Sequence, residues 1–275
     1  MSKIVMLLTC AVALFAAVSD PMKPDPNGKR PIDALDTVFI EEMTWMEVRD
    51  AMKAGKNTVI IATGGVEQNG PYVATGKHNY VLRATTEAIA RKLGDALVAP
   101  IVPFVPEGDF DPPTAHMNYP GSVSVTEETY RALVTDICRS FRTHGFRHIV
   151  LIGDSGGNQD GLEAVAGEFN RSWSEGKSRI HYVPEYYNYG DVAKFLEDRG
   201  VDQKPEGLHD DFGMTAVLMV VNPTTVRMEQ RIAAGNFRIN GIELAPAGET
   251  MEWGRRIVDF RAEAAVKAIR KVRGK

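Results

Sequence analysis

The stretch His148-Ile149-Val150-Leu151-Ile152-Gly153-Asp154-Ser155-Gly156-Gly157-Asn158 decides the fold class. A short aliphatic run that stops at a polar, glycine-rich turn is the pattern of a strand buried on both faces, delivering a loop to the end of a parallel sheet. On its C-terminal side a helix carries Leu162, Val165, Phe169 and Trp173 toward the core, and Arg179-Ile180-His181-Tyr182-Val183 reads as the next strand. On its N-terminal side Thr126 begins a helix that Gly145 closes. Glu127 and Glu128 occupy its first turn, where negative charge suits the dipole, and Tyr130, Leu133, Ile137 and Phe141 share one face. Earlier still, Thr58-Val59-Ile60-Ile61-Ala62 is a buried strand, and residues 79–93 form a helix with Leu82, Ile89 and Leu93 at helical spacing. Residues 97–102 form another strand, which Pro100 confines to an edge or an irregular place. A last helix over 249–272 sets Trp253, Ile257, Phe260, Ala264 and Ile269 on a packing stripe. Strands alternating with helices predict an α/β protein, a three-layer α/β/α sandwich with a mostly parallel sheet, as one domain over 37–275.

Composition narrows the partners. With 44% hydrophobic and 25% charged residues the 275-residue chain is globular, neither disordered nor fibrous. Its 32 basic and 36 acidic residues give a formal charge of -4 spread along the chain, so no basic field exists to attract a phosphate backbone or anionic lipid. Nucleic acid is therefore not an expected partner, nor is a membrane beyond the N-terminal leader. Lys3 precedes an uncharged run, 4–18, that is short for a bilayer span but right for a signal-peptide core, and Ala17-Val18-Ser19 offers small residues to a peptidase. The expectation is a signal peptide over 1–19, a proline-rich linker over 20–36, and a periplasmic or secreted protein. Of the two cysteines, Cys10 leaves with the leader and only Cys138 remains, so no intrachain disulfide is expected.

Ligands of open α/β sheets bind beyond the carboxyl ends of the strands, so polar residues that follow successive strands should meet in space. That rule collects Glu67, then Glu107, Asp109 and His116, then Asp154 and Ser155, then Tyr186 and Tyr187, with Leu208-His209-Asp210-Asp211 able to close over the same mouth. Glu67 and His78 are joined by a turn-rich loop, and such an N/O pair suits Zn²⁺ or Mn²⁺; the plain alternative is a surface carboxylate and a helix-end histidine. Gly153-Asp154-Ser155-Gly156-Gly157 fits the G-x-S-x-G nucleophile elbow between strand and helix, with Asp191 or Asp202 and then His209 as partners in the required order. The same glycines could instead leave room for a ligand beside Asp154. Asp210 and Asp211 suggest a cation if buried and a helix cap if exposed. Tyr186, Tyr187 and Tyr189 could wall a small ligand or simply pack.

Three segments together resemble the creatininase (creatinine amidohydrolase) family across roughly residues 37–270. Gly65-Val66-Glu67-Gln68-Asn69-Gly70-Pro71 looks like its first metal loop. Pro113-Thr114-Ala115-His116-Met117-Asn118-Tyr119-Pro120-Gly121-Ser122 is similar to its histidine loop, and Gly153-Asp154-Ser155-Gly156-Gly157-Asn158 to its Asn-Gly-His-Gly-Gly-Asn turn. The resemblance implies a metal-dependent amidohydrolase with a dinuclear centre. The chain departs from the pattern at the ligands: Asn69 and Ser155 stand where histidines are expected, and His78 where the bridging aspartate is expected. His209 matches the histidine of a His-Ala-Gly segment implicated in catalysis, and Met214 takes the place of its glutamate.

What the departures leave is a mononuclear site. One divalent ion, Zn²⁺ or Mn²⁺, is expected on Glu67, His78, Asp154 and Asp210, with His209 as proton carrier and with His116, Asn69, Glu107, Tyr186 and Tyr187 around the substrate. The expected activity is hydrolysis of a C–N bond, an amide or cyclic amide, in a small molecule, by an exported enzyme that the family analogy makes a homo-oligomer. A serine hydrolase using Ser155 and a catalytically inactive periplasmic ligand-binding protein are the alternatives.

Overall fold

Four parallel strands carry the fold in the computed structural model, which describes residues 22–173, 177–203 and 210–274. Residues 1–19, the expected signal peptide with Cys10, and the expected proton carrier His209 lie outside the described residues. The chain divides into two compact units, Met1–Ala34 and Leu35–Lys275, and the sheet belongs to the second. β1 (Thr58–Thr63) is central, with β2 (Ala96–Val98) on one side and β3 (His148–Gly153) then β4 (Arg179–Tyr182) on the other. β2 is an edge, as a strand approaching Pro100 must be, because proline cannot donate to a ladder.

Alternation across β1 and β3 builds two cores. Ile60, Ala62, Val150 and Ile152 point to one face, where α2 (Lys77–Leu93) and α8 (Ala247–Val272) cover them. Val59, Ile61, Ile149 and Leu151 point to the other, beneath α3 (Glu127–His144) and α4 (Gln159–Ser172). The result is the three-layer α/β/α sandwich, with a wholly parallel sheet. Every residue of β1 is buried, which is why its sequence reads as one apolar run and not as an alternation.

Several elements escaped the sequence reading. α1 (Trp45–Lys53), α5 (Tyr189–Glu197), α7 (Met228–Ala233) and the hairpin β5 (Arg238–Ile239) and β6 (Ile242–Glu243) are short and weakly patterned. α6 (Phe212–Val221) is apolar all round and buried against α8, so it has no amphipathic period to reveal it. Its crossing with α8 is close: a Cβ on Gly254 would lie 2.2 Å from the Ala216 carbonyl oxygen. Two stripes are rotated from expectation. On α3 the buried positions are Tyr130, Val134 and Cys138, while Leu133 is exposed. On α8 they run through Thr250, Gly254, Ile257, Arg261, Ala265 and Ala268. Trp253, Phe260 and Ala264 are only half-buried, because the centre of the buried face holds an arginine that a hydrophobic stripe passes over. None of the described helices is long and apolar enough to cross a membrane.

Candidate active site

A cavity of about 680 Å³ opens at the carboxyl ends of the strands. Glu67 and His78 enter it from the β1 side, Glu107 and His116 from the segment after β2, Ser155 from the turn after β3, Tyr187 and Tyr189 from the segment after β4, and Asp210, Asp211 and Met214 from the start of α6. The expectation that loops after successive strands converge therefore holds for residues up to about 140 positions apart in the chain.

Glu67 is the hub. Its Oε1 lies 3.0 Å from Lys77 Nζ and 3.0 Å from His78 Nε2, and its Oε2 lies 3.2 Å from His116 Nε2. His78 continues the chain through Nδ1, 2.8 Å from Asp154 Oδ2, which also accepts from the Tyr189 hydroxyl at 2.9 Å. Arg261 closes it: Nη2 donates to Asp154 Oδ1 at 2.7 Å and to the Tyr186 carbonyl at 3.2 Å. Carboxylates only accept, so a histidine between two of them donates from both nitrogens and is an imidazolium. The electrostatics agree. Burial alone would lower His78 and raise both carboxyls, but the hydrogen bonds to Asp154 and Glu67 hold the imidazole above its ordinary range. The hydrogen bond from His78, with the charges of Lys77, His78 and His116, holds Glu67 well below the usual carboxylate range despite burial. Asp154, wholly buried, is held low chiefly by the Arg261 charge and the His78 hydrogen bond.

Glu107 behaves oppositely. Burial first, then the charge of Glu67 and the hydrogen bond shared with it, push its carboxyl up to about 9, against a smaller pull from Lys77. Without a cation beside it, this environment favours the protonated carboxyl; a divalent ion bound there would take the place of that proton. Its loop holds it firmly: the Glu107 amide donates to Ser124 Oγ at 2.9 Å, and the His116 amide donates to the Glu107 carbonyl at 3.2 Å. Ala115, just before His116, adopts φ 46, a left-handed conformation that costs a non-glycine residue about 1 kcal/mol or more. Gly108, at φ +138, could not carry a side chain, since a Cβ there would meet the Thr114 carbonyl at 2.2 Å.

The donor set suits a divalent cation and keeps Glu67 of the expected ligands, joined by Glu107 and His116. Donor atoms of Glu67, Glu107 and His116 all lie within 4.8 Å of one another. Glu107 Oε1 is buried without a hydrogen-bond partner among the described residues, and its space exists because residue 65 is glycine: a Cβ there would stand 2.2 Å from that oxygen. Two carboxylates and an imidazole are donors that Zn²⁺ and Mn²⁺ accept. Of the expected set of Glu67, His78, Asp154 and Asp210, only Glu67 belongs to the converging donors. His78 lies with both ring nitrogens on carboxylates, and Asp154 is held by His78, Tyr189 and Arg261. Asp210 is buried at the cavity wall but outside the converging set, and Asp211 caps α6, accepting from the Met214 amide at 2.6 Å.

Of the residues expected around a substrate, His116, Glu107 and Tyr187 line the cavity. Asn69 and Tyr186 do not. Asn69 clips its own loop, donating to the carbonyls of Glu67 at 3.0 Å and Ala74 at 3.1 Å, and Tyr186 is fully buried with its hydroxyl 2.6 Å from Thr85 Oγ1. Ser155 lines the cavity, but its backbone is ordinary extended chain, φ -114 and ψ 153, not a strained elbow. Among the described residues no imidazole hydrogen-bonds its hydroxyl. Lys77 and Arg261 are the residues that sequence reasoning missed. Lys77 immediately precedes His78 at the start of α2, whereas nothing in the pattern around Arg261 marks it as internal.

Fold and site together define an α/β/α sandwich with an acidic, imidazole-lined cavity beyond its parallel strands. The creatinine amidohydrolase family model matches residues 41–269, and the chain belongs to the creatininase family. It is 28% identical to creatinine amidohydrolase of Pseudomonas putida over 116 residues, 42% of this chain and 44% of that protein. It is also 28% identical to 3-dehydro-scyllo-inosose hydrolase of Thermotoga maritima over 119 residues, 43% of this chain and 36% of that one. These alignments span less than half of either relative. A crystal structure of creatininase superposes with TM-score 0.62 at 19% identity, covering 86% of this chain and 98% of that one. A manganese form gives 0.60 at 20% identity with the same coverage, and a Zn–Zn mutant form 0.59 at 19%, covering 86% of this chain and 99% of that one.

Proposed function

We propose that the chain is a hydrolase that cleaves a C–N bond, an amide or cyclic amide, of a small polar molecule, with one divalent cation, Zn²⁺ or Mn²⁺, held by Glu67, Glu107 and His116. The observation that carries this reading is the convergence of those three donors, with Glu107 Oε1 buried and unpartnered among the described residues. Family membership supports the reaction class, the manganese and Zn–Zn relatives support the type of ion, and a mouth of about 680 Å³ suits a small ligand.

The chemistry a bound cation supplies is polarisation of a carbonyl and acidification of water. The chain's own residues do the rest. Lys77 and His78 fix the orientation of the Glu67 carboxylate, and Asp154, anchored by Arg261, fixes His78. Tyr187 walls the substrate, and Ser155 and Asp210 offer it polar contacts. The backbone amides of Gly156 and Gly157 open the helical stretch that continues into α4, so their positive dipole ends face negative charge developing on a carbonyl oxygen. His209 remains the proposed proton carrier on sequence grounds. Export rests on the leader sequence alone and homo-oligomerisation on family analogy alone.

The test is chelation followed by reloading. Hydrolysis of linear and cyclic amides should be lost on metal removal and return with one equivalent of Zn²⁺ or Mn²⁺, and Glu107→Gln should weaken ion binding by more than about tenfold. Full activity in metal-free protein would remove the cation from the proposal. Labelling by a fluorophosphonate that Ser155→Ala abolishes would move the nucleophile to the serine.

A further inference from the structure

Lys77 is placed against the grain of its helix. It opens α2, where a positive charge opposes the dipole and no acidic residue shares the first turn. Its side chain is only 4% exposed, beside a Glu67 side chain that is 3% exposed. A buried ammonium in that position is explained by what it touches, and it touches the hub carboxylate. Around Glu67 the contacts divide by oxygen: Lys77 and His78 on Oε1, His116 on Oε2. The next residue, His78, stands where the family's bridging aspartate is expected, yet both its nitrogens lie on carboxylates. Where the resemblance expects a carboxylate the chain presents an imidazole, and the residue before it brings an ammonium.

We propose that Lys77 acts at Glu67 Oε1 as a fixed organic cation built into the chain, occupying with its charge a place that a second divalent ion would otherwise compete for. This rests on the assignment of Glu67, Glu107 and His116 as cation donors. Lys77 thus sets ion stoichiometry and affinity: its positive charge beside Glu67 repels a second divalent ion and weakens the first.

The experiment reads bound metal and not turnover. Wild type, Lys77→Met, Lys77→Gln and Lys77→Arg are stripped by chelator dialysis. They are then titrated with Mn²⁺ by calorimetry and assayed for metal per chain, with circular dichroism as the check on folding. Expected are one ion in wild type and in Lys77→Arg with similar affinity, and binding at least about tenfold tighter in Lys77→Met and Lys77→Gln. Two ions in wild type, or unchanged affinity in the two neutral variants, would overturn the role of Lys77 and leave the single-cation site standing. No ion in wild type with one in a neutral variant would support Lys77 and overturn the single-cation reading. No ion in any of them would overturn both. Should Lys77→Met fail to fold, the near-isosteric and polar Lys77→Gln decides it by the same comparison.

Discussion

At the level of single residues, charge compensation dominates this site. Arg261 and Asp154 have side chains 2% and 0% exposed, so the charge of each offsets the burial of the other, with His78 and Tyr189 also on the carboxylate. Arg261→Met is expected to cost about 3–5 kcal/mol, read as a lower denaturation midpoint, because it strands a buried carboxylate. Arg261→Met with Asp154→Asn should recover most of that loss; equal destabilisation in single and double variants would show that the arginine acts through packing, not charge. Gly65 makes a complementary case. A Cβ there meets the far end of the Glu107 side chain at 2.2 Å, and a side-chain end can swing away at little cost to stability. Gly65→Ala should therefore leave the melting temperature close to wild type while weakening Mn²⁺ binding by about tenfold or more. Wild-type metal affinity in that variant would remove Glu107 from the donor set.

Among elements, β3 and β4 carry a second electrostatic feature at the end of the sheet remote from the cavity. His148 Nδ1 lies 3.0 Å from His181 Nε2, and burial, followed by the charges of His148, Arg273 and Arg179, lowers His181 to about 4 from 6.5. A histidine whose folded pKa is depressed binds its proton more readily when unfolded, so the unfolded state gains as pH falls between 6.5 and 4. Relative to wild type, His181→Asn should therefore gain stability as pH falls through that window, as followed by thermal melts of both proteins at a series of pH values; an unchanged difference would show that His181 carries no such linkage. The α6–α8 crossing is similarly specific. Gly254→Ala places a Cβ against the Ala216 backbone, which cannot swing aside, and should cost about 1–3 kcal/mol. The helices legible in the sequence were those with one apolar face and a clear stop, such as α4 with Leu162, Val165, Phe169 and Trp173 all buried. α6 was not, because a helix buried on every side has no polar face to set its period.

For the whole molecule, the sheet gathers the site and the site in turn should hold the fold. If Glu67, Glu107 and His116 bind an ion only when brought together, saturating Mn²⁺ must stabilise the native state, by about 2.7 kcal/mol at a hundredfold excess over Kd. Thermal melts with and without Mn²⁺ read this directly, and Glu107→Gln should abolish the shift. An equal shift in that variant would place the ion elsewhere.

The sequence by itself determined the layered parallel sheet, the convergence of its post-strand loops and the family, because apolar runs, turn residues and motif spacing are local and survive in one dimension. It also put Glu67 and His78 together, 3.0 Å apart as folded. What only the tertiary structure decided is which groups share charge: that His78 lies between two carboxylates, that Glu107 and His116 converge with Glu67, and that Lys77 and Arg261 supply the buried positive charges. Those pairings follow from burial and from distances of a few ångströms between residues far apart in the chain, and the energy of a buried charge depends on that proximity and not on sequence order.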